Sequence, residues 1–293
     1  MDKLEAFRII AAQASHGELT FPTNVNASLK IQSALDDPEC HIEHAVKLVS
    51  AEPLLSARTV AIANSAAYNP SGREITNVRA AVSRLGFRTL RSLVAAMIVR
   101  QFAGMLTDPV LRIKASQLWE HSAHVAALSY VLAKRITHED PETAFFAGVV
   151  HDVGGFYLFS RVQEFPGLLD GGGEAWRSYG ERAIGRGVMK KLNIPENIQI
   201  AMEEVWFGSL VLPLKPKQSD DVATINALLG NTLQLAKKLS PVPSPFEDRP
   251  ADEVSLTCVE STIDFECGAG TLQRILQESR DEVSSLSSVL LLS

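Results

Sequence analysis

Apolar residues along this chain recur at helical spacing, every third or fourth position, and not at the alternation of a strand. Ala27 to Leu35 reads as a helix stopped by Asp36-Asp37-Pro38. Ile42, Ala45, Val46 and Val49 share one face of a helix from Ile42 to Ser50. Glu52-Pro53 opens another through Ala63, with Pro53 in the first turn, where a missing N–H costs nothing. Asn64 to Pro70 predicts a turn. Asn77 to Leu85 is helical with Gly86 as its C-terminal stop. Thr89 to Phe102 is apolar enough for the middle of a bundle. After Thr107-Asp108-Pro109 the pattern restarts with a long helix, Ile113 to Ile136, carrying Trp119, His121 and His124. Glu142 to His151, opened by Asp140-Pro141, follows, then Glu174 to Leu192, Pro195 to Val205 and Val222 to Leu239. Gly171-Gly172-Gly173 predicts a flexible break. Leu210 to Ser219 predicts a proline-interrupted loop, and Ser240 to Pro250, with four prolines, a linker or wrapping loop. Two short helices, Leu256 to Phe265 and from Gly270 onward, end the chain. The expectation is an all-α, multi-helix bundle in three parts. These are an N-terminal helical subdomain (1–107), a second helical subdomain (108–240), and a C-terminal extension (241–293) whose Leu256, Val259, Ile263 and Leu272 bury against the bundle.

Composition narrows the class. The chain has 293 residues, 46% of them hydrophobic, enough for a sizeable core. A net charge of -6 argues against nucleic-acid binding by bulk electrostatics. Three cysteines, Cys40, Cys258 and Cys267, with no CxxC pair, suit a reducing cytoplasm, and Cys258 and Cys267 read as structural. The first residues carry no secretory pattern. The longest mid-chain apolar run, Leu93 to Val99, is too short for a bilayer, so no membrane insertion is expected.

The chemistry concentrates at Phe145 to Gly155, where His151 and Asp152 are adjacent at the end of an apolar helix. An imidazole beside a carboxylate offers a divalent ion two ligands. The same pair also suits a plain structural role: Asp152 capping the next turn, Gly154-Gly155 making a tight bend, and His121 and His124 as buried neutral side chains on local carbonyls. Arg84, Arg88 and Arg91, with Arg100 beyond, could form an anion-binding stripe or a solvated edge. Glu203-Glu204 reads as a solvated helix face. Gly171-Gly172-Gly173 lacks the Lys-Ser/Thr of a phosphate loop, and Ser122 lacks a nucleophile elbow.

Three stretches together resemble the HDOD family, a degenerate branch of the HD-domain metal-dependent phosphohydrolases. The first runs from Asp36-Asp37-Pro38 through Glu52-Pro53-Leu54-Leu55-Ser56-Ala57-Arg58 to Ala63-Asn64-Ser65-Ala66. The second lies within Ile75 to Leu90, at Ala80-Ala81-Val82-Ser83-Arg84-Leu85-Gly86. The third joins Leu118-Trp119-Glu120-His121-Ser122 to Ala147-Gly148-Val149-Val150-His151-Asp152-Val153-Gly154. The likeness covers roughly Leu19 to Leu239, in order.

The resemblance implies an HD-domain-like helical bundle and a bacterial regulatory role. It also supplies a ligand template: a first histidine, the His-Asp pair, and a later aspartate. His121, His151 and Asp152 match the first three, while Gly230-Asn231 stands where Ala-Asp is usual, so Asn231 replaces the anion. Extra histidines of many relatives are replaced by Glu181-Arg182-Ala183 and Glu203-Glu204-Val205-Trp206. A binuclear site is not expected on this reading. No cofactor is expected, or at most one divalent ion (Fe, Mn, Zn or Co) if the site persists. The resemblance thus points to a stand-alone, non-catalytic signal-transduction module. Its expected partners are signalling proteins, including cyclic-nucleotide or two-component pathway members, or a small ligand. The alternatives are a mononuclear phosphodiesterase and a cyclic-nucleotide sensor without hydrolysis.

Overall fold

The computed structural model describes residues 2–171, 173, 175–207, 214, 222–246 and 253–291; side chains at 178, 179, 207, 222–227 and 253–259 are outside the description. The expectations for most of Leu210 to Ser219, for residues 247–250, and for the side chains of Leu256, Cys258 and Val259 therefore lie outside the described residues. Every regular element among those described is helical. In the N-terminal half, α1 (Lys3–His16), α2 (Asn26–Asp36), α3 (Ile42–Ser50) and α4 (Pro53–Ala63) precede the long α5 (Val78–Gln101). Then come α6 (Pro109–Leu132), α7 (Pro141–Val150), α8 (Val153–Arg161), α9 (Glu181–Lys191), α10 (Glu196–Phe207) and α11 (Val222–Leu239). The chain ends in α12 (Glu253–Cys267), α13 (Thr271–Glu278) and α14 (Arg280–Leu291).

Acid-proline pairs start three of these helices. Glu52, Asp108 and Asp140 each accept a backbone N–H of the first turn, from Leu55, Val110 and Thr143, while the following proline occupies the position that needs no donor. Gly86 interrupts α5 at φ 72°, ψ 175°, so the predicted stop is a break between two helical runs. The long sixth helix ends in a π turn, Ala133–Thr137, and the stretch predicted as one helix from Glu174 is a π turn, Trp176–Gly180, followed by α9.

The central member is α6, which packs against α7, α8, α11 and α14. On the far side of α7, α5 packs against α2, α3 and α4. One apolar core runs through the whole assembly, from Phe7 and Ile10 of α1 to Leu286 and Leu290 of α14. Two glycines set the spacing near the site. A Cβ on Gly148 would lie 2.5 Å from the Ala126 Cα, so α7 and α6 touch backbone to backbone. A Cβ on Gly230 would lie 2.8 Å from Glu204, which brings α11 onto α10.

Candidate metal centre

That close approach of α6 and α7 carries His121 and His151 together, with ring centroids 5.3 Å apart. His151 and Asp152 follow α7 directly, where Asp152 holds the N-terminal position of α8. The predicted side-chain cap by Asp152 does not form. Its carboxylate turns toward the histidines instead: Oδ2 is 3.2 Å from His151 Nε2 and 3.9 Å from His121 Nε2. One donor atom from each of the three residues lies within 4.8 Å of the others. Two ligands of a single tetrahedral ion stand about 3.3 Å apart, given bonds of about 2 Å. The two carboxylate gaps bracket that value.

The backbone fixes which nitrogen each ring presents. His151 Nδ1 lies 2.7 Å from the Gly148 carbonyl, one helical turn back, and His121 Nδ1 lies 2.6 Å from the distant Val242 carbonyl. In the neutral tautomer these contacts select, Nδ1–H donates and Nε2 carries the lone pair. Both Nε2 atoms are buried without a hydrogen-bond partner, with Asp152 Oδ2 as the nearby carboxylate oxygen. Two orphaned imidazole nitrogens converging on a carboxylate fit one divalent ion by donor chemistry.

Charge works against that fit. Burial pushes the His121 pKa down to about 3, helped by His151 and Lys237 and opposed by Asp152 and the Val242 carbonyl. Burial alone would raise the Asp152 carboxyl; interaction with His151, Lys237 and His121 outweighs it and holds the group below the usual carboxylate range. Asp152 is thus an anion that already faces a charge of the chain's own, the Lys237 ammonium of α11. Asn231, on the same helix, is fully buried.

The cluster is also covered. Residues 240–246 lie along it: Val242 meets His121, Pro243 O accepts from Gln117 Nε2 at 3.1 Å, and Ser244 Oγ reaches Asp152 Oδ2 at 3.5 Å. Phe246 packs against Phe159 and Trp176. A Cβ on Gly155 would come within 2.7 Å of the Phe246 ring. Gly154 and Gly155 are therefore not a bend. They lie inside α8 and make room, Gly154 for Gly185 and Trp176, Gly155 for Phe246. Under this cover His121, His151 and Asp152 are 0, 3 and 6% exposed.

The arginines of the predicted stripe go to separate acceptors. Arg84 donates to Asn69 Oδ1 at 2.7 Å and the Tyr68 carbonyl at 3.2 Å. Arg88 pairs with Asp140, and Arg91 with Asp36 at 2.9 Å and the Leu35 carbonyl. Glu203 is held by Arg186 at 2.6 Å. Cys40 and Cys267 are free thiols.

An all-α, HD-like bundle here brings a histidine pair and a carboxylate together. The family model of the HDOD domain matches residues 21–170, just over half of the chain, and the protein belongs to the HDOD family. The matched region contains His121, His151 and Asp152 and ends before α11, where Asn231 and Lys237 reside. Among solved structures, one from Shewanella amazonensis, provisionally named a metal-dependent phosphohydrolase, is 18% identical with a TM-score of 0.67, covering 99% of this chain and 100% of that one. An HDOD domain protein with unknown function from Geobacter sulfurreducens is 22% identical with a TM-score of 0.62, covering 98% of each chain. One from Marinobacter aquaeolei, provisionally named a signal transduction protein, is 17% identical with a TM-score of 0.59, covering 99% of this chain and 67% of that one. These are likenesses of fold. No curated protein matches the chain. Among the described residues no helix is long and apolar enough to cross a membrane.

Proposed function

We propose that this chain is a non-catalytic HDOD regulatory module, which acts by binding a signalling protein or a small ligand and keeps its His-Asp cluster as a closed structural centre. The observation that carries the reading is the cover. Among the described residues, Val242 and Ser244 lie directly on His121 and Asp152, and with the three side chains at most 6% exposed a phosphodiester would have to displace such cover to reach them. The internal Lys237 charge supports the same reading, since it competes with any cation for Asp152. So does the replacement of the expected fourth anion by Asn231, which ligates weakly. The signalling name of the Marinobacter protein is in keeping with it. We assign residues 1–107 and 108–240 to two helical subdomains and 241–293 to an extension that covers them. The free thiols of Cys40 and Cys267 suit a reducing cytoplasm.

One observation favours a second reading, a mononuclear phosphohydrolase: the two orphaned Nε2 atoms converge with the Asp152 carboxylate. A bound divalent ion would supply Lewis-acid activation of water and charge neutralisation at phosphorus. The chain's own part would be to orient His121 and His151 through the Val242 and Gly148 carbonyls and to contribute one negative charge from Asp152. Elemental analysis of protein purified without chelator, with turnover of bis-p-nitrophenyl phosphate, separates the two. We expect far less than one equivalent of metal and no turnover beyond that of His151→Ala. Near-stoichiometric metal, lost together with phosphodiesterase activity in His151→Ala, would overturn the regulatory reading.

A further inference from the structure

A cavity of about 460 Å³ opens at the corner where α5 hands over to α6, against the end of α8. Its volume is within the range of binding pockets, and no residue of the His-Asp cluster lines it. Phe21, Phe102, Leu111 and Phe159 give it an apolar floor, where the Phe21 and Phe102 rings meet edge to face at 5.1 Å. Asp108, Glu164 and Asp170 are the acidic residues of the lining, all exposed.

The charge of this lining is one-sided. Among the described lining residues the cation is Arg161, and its guanidinium is buried and engaged. It donates to Glu164 Oε2 at 2.7 Å, the Tyr157 hydroxyl at 2.6 Å and Gln13 Oε1 at 3.1 Å. Glu164 is thereby paired. Asp108 accepts the Val110 N–H at 2.8 Å through one carboxylate oxygen, and neither Asp108 nor Asp170 forms an ion pair among the described residues. The ammonium groups of Lys3 and Lys114 donate to the main-chain carbonyls of Asp170 and Leu169, and neither lysine lines the cavity. Beside the carboxylates the surface is apolar. Met105, in the lining, is 60% exposed; Val110 and Ile113, at the same start of α6 as Asp108 and Leu111, are 59 and 68% exposed. Large apolar side chains gathered on a surface mark a face that another chain covers. This face runs along α6 beyond the residues that line the cavity, which suits a partner chain and not a small molecule held inside. The net charge of -6 favours the approach of a basic partner over an acidic one.

We infer, on the reading of this chain as a partner-binding module, that this corner docks a basic amphipathic segment of a partner protein. A large apolar side chain of that segment sits on the floor of Phe21, Phe102 and Phe159, and a neighbouring Lys or Arg meets Asp108. Panning of a phage-displayed library of random dodecapeptides on the full chain, followed by calorimetry of the enriched peptides, tests it. Enriched sequences should pair a large apolar residue with a nearby Lys or Arg, and their affinity should fall as salt rises. Asp108→Asn keeps an oxygen to cap α6 and should weaken them about threefold, the size of one exposed charge pair. Met105→Gln should weaken them about fivefold through lost apolar contact. Both positions are exposed, and circular dichroism checks that the variants fold. The metal content and turnover that test the regulatory reading do not depend on this corner, so the two can fail separately. No enrichment, enriched sequences that lack a basic residue, affinity indifferent to salt, or affinity unchanged in either variant would refute the docking site.

Discussion

At the scale of single residues, burial decides what each titratable group can do. His121 is neutral at ordinary pH because an imidazolium has no water to solvate it, and Asp152 is an anion because neighbouring groups replace the water it lost. Glu139 shows the opposite balance. Burial first, and then the adjacent Asp140, push its carboxyl up to about 7 from 4.5. The folded chain binds that proton more tightly than the unfolded chain, so the favourable contribution is complete below pH 4.5 and is lost as pH rises through about 7. Glu139→Gln should therefore raise stability by roughly 1–2 kcal/mol near about pH 8 and change it little near about pH 4.5. Urea midpoints measured at both pH values check this, and an equal effect at the two would contradict it. His121, His151 and Asp152 were legible because chain-local spacing and an apolar setting mark them. Lys237, Val242 and Ser244 were not. They reach the cluster from more than eighty residues away, Val242 and Ser244 from a proline-rich stretch that gives no periodic signal and Lys237 from α11.

At the scale of elements, helix type was readable from the apolar period, and Val222 to Leu239 was read to the residue. Two helices before the C-terminal stretch were missed. The first, α1, carries Phe7, Ile10 and Ala14 on one buried face, a helical spacing present in the sequence but passed over. The other, α8, was hidden by Gly154-Gly155, since adjacent glycines signal a turn unless a close neighbour needs the space. Such a neighbour is also what makes Gly148 irreplaceable. Gly148→Ala puts a methyl 2.5 Å from Ala126 Cα, so α7 must move off α6 and take His151 with it. We expect a loss of about 3 kcal/mol in urea denaturation. A change under about 1 kcal/mol would mean the two backbones are not in contact.

At the scale of the whole molecule, the all-α, HD-like bundle follows from the pattern of apolar faces, but the order in which those faces meet does not. The last helix illustrates this: Leu286 and Leu290 of α14 are fully buried, and α14 packs on α6 and α4. The C-terminal stretch was expected to form two short helices after Ser240; it forms three. Deleting residues 280–293 should lower stability by roughly 3 kcal/mol or more, from two buried leucines alone, and should quench-shift Trp119 as its indole N–H loses Leu290. Unchanged thermal and fluorescence behaviour would show that the chain end is a passive tail.

The contact between His121 and Val242 has one more implication. A side chain at the bundle's centre and a carbonyl in the stretch before α12 share one proton-bridged contact, so the two are thermodynamically linked, and linkage runs in both directions. Whatever grips the outer ring nitrogen of His121 would alter the hold on the stretch leading to the final helices. A protein that seized those helices would, in return, retune the basicity of the imidazole. The His-Asp cluster would then act as a lever arm.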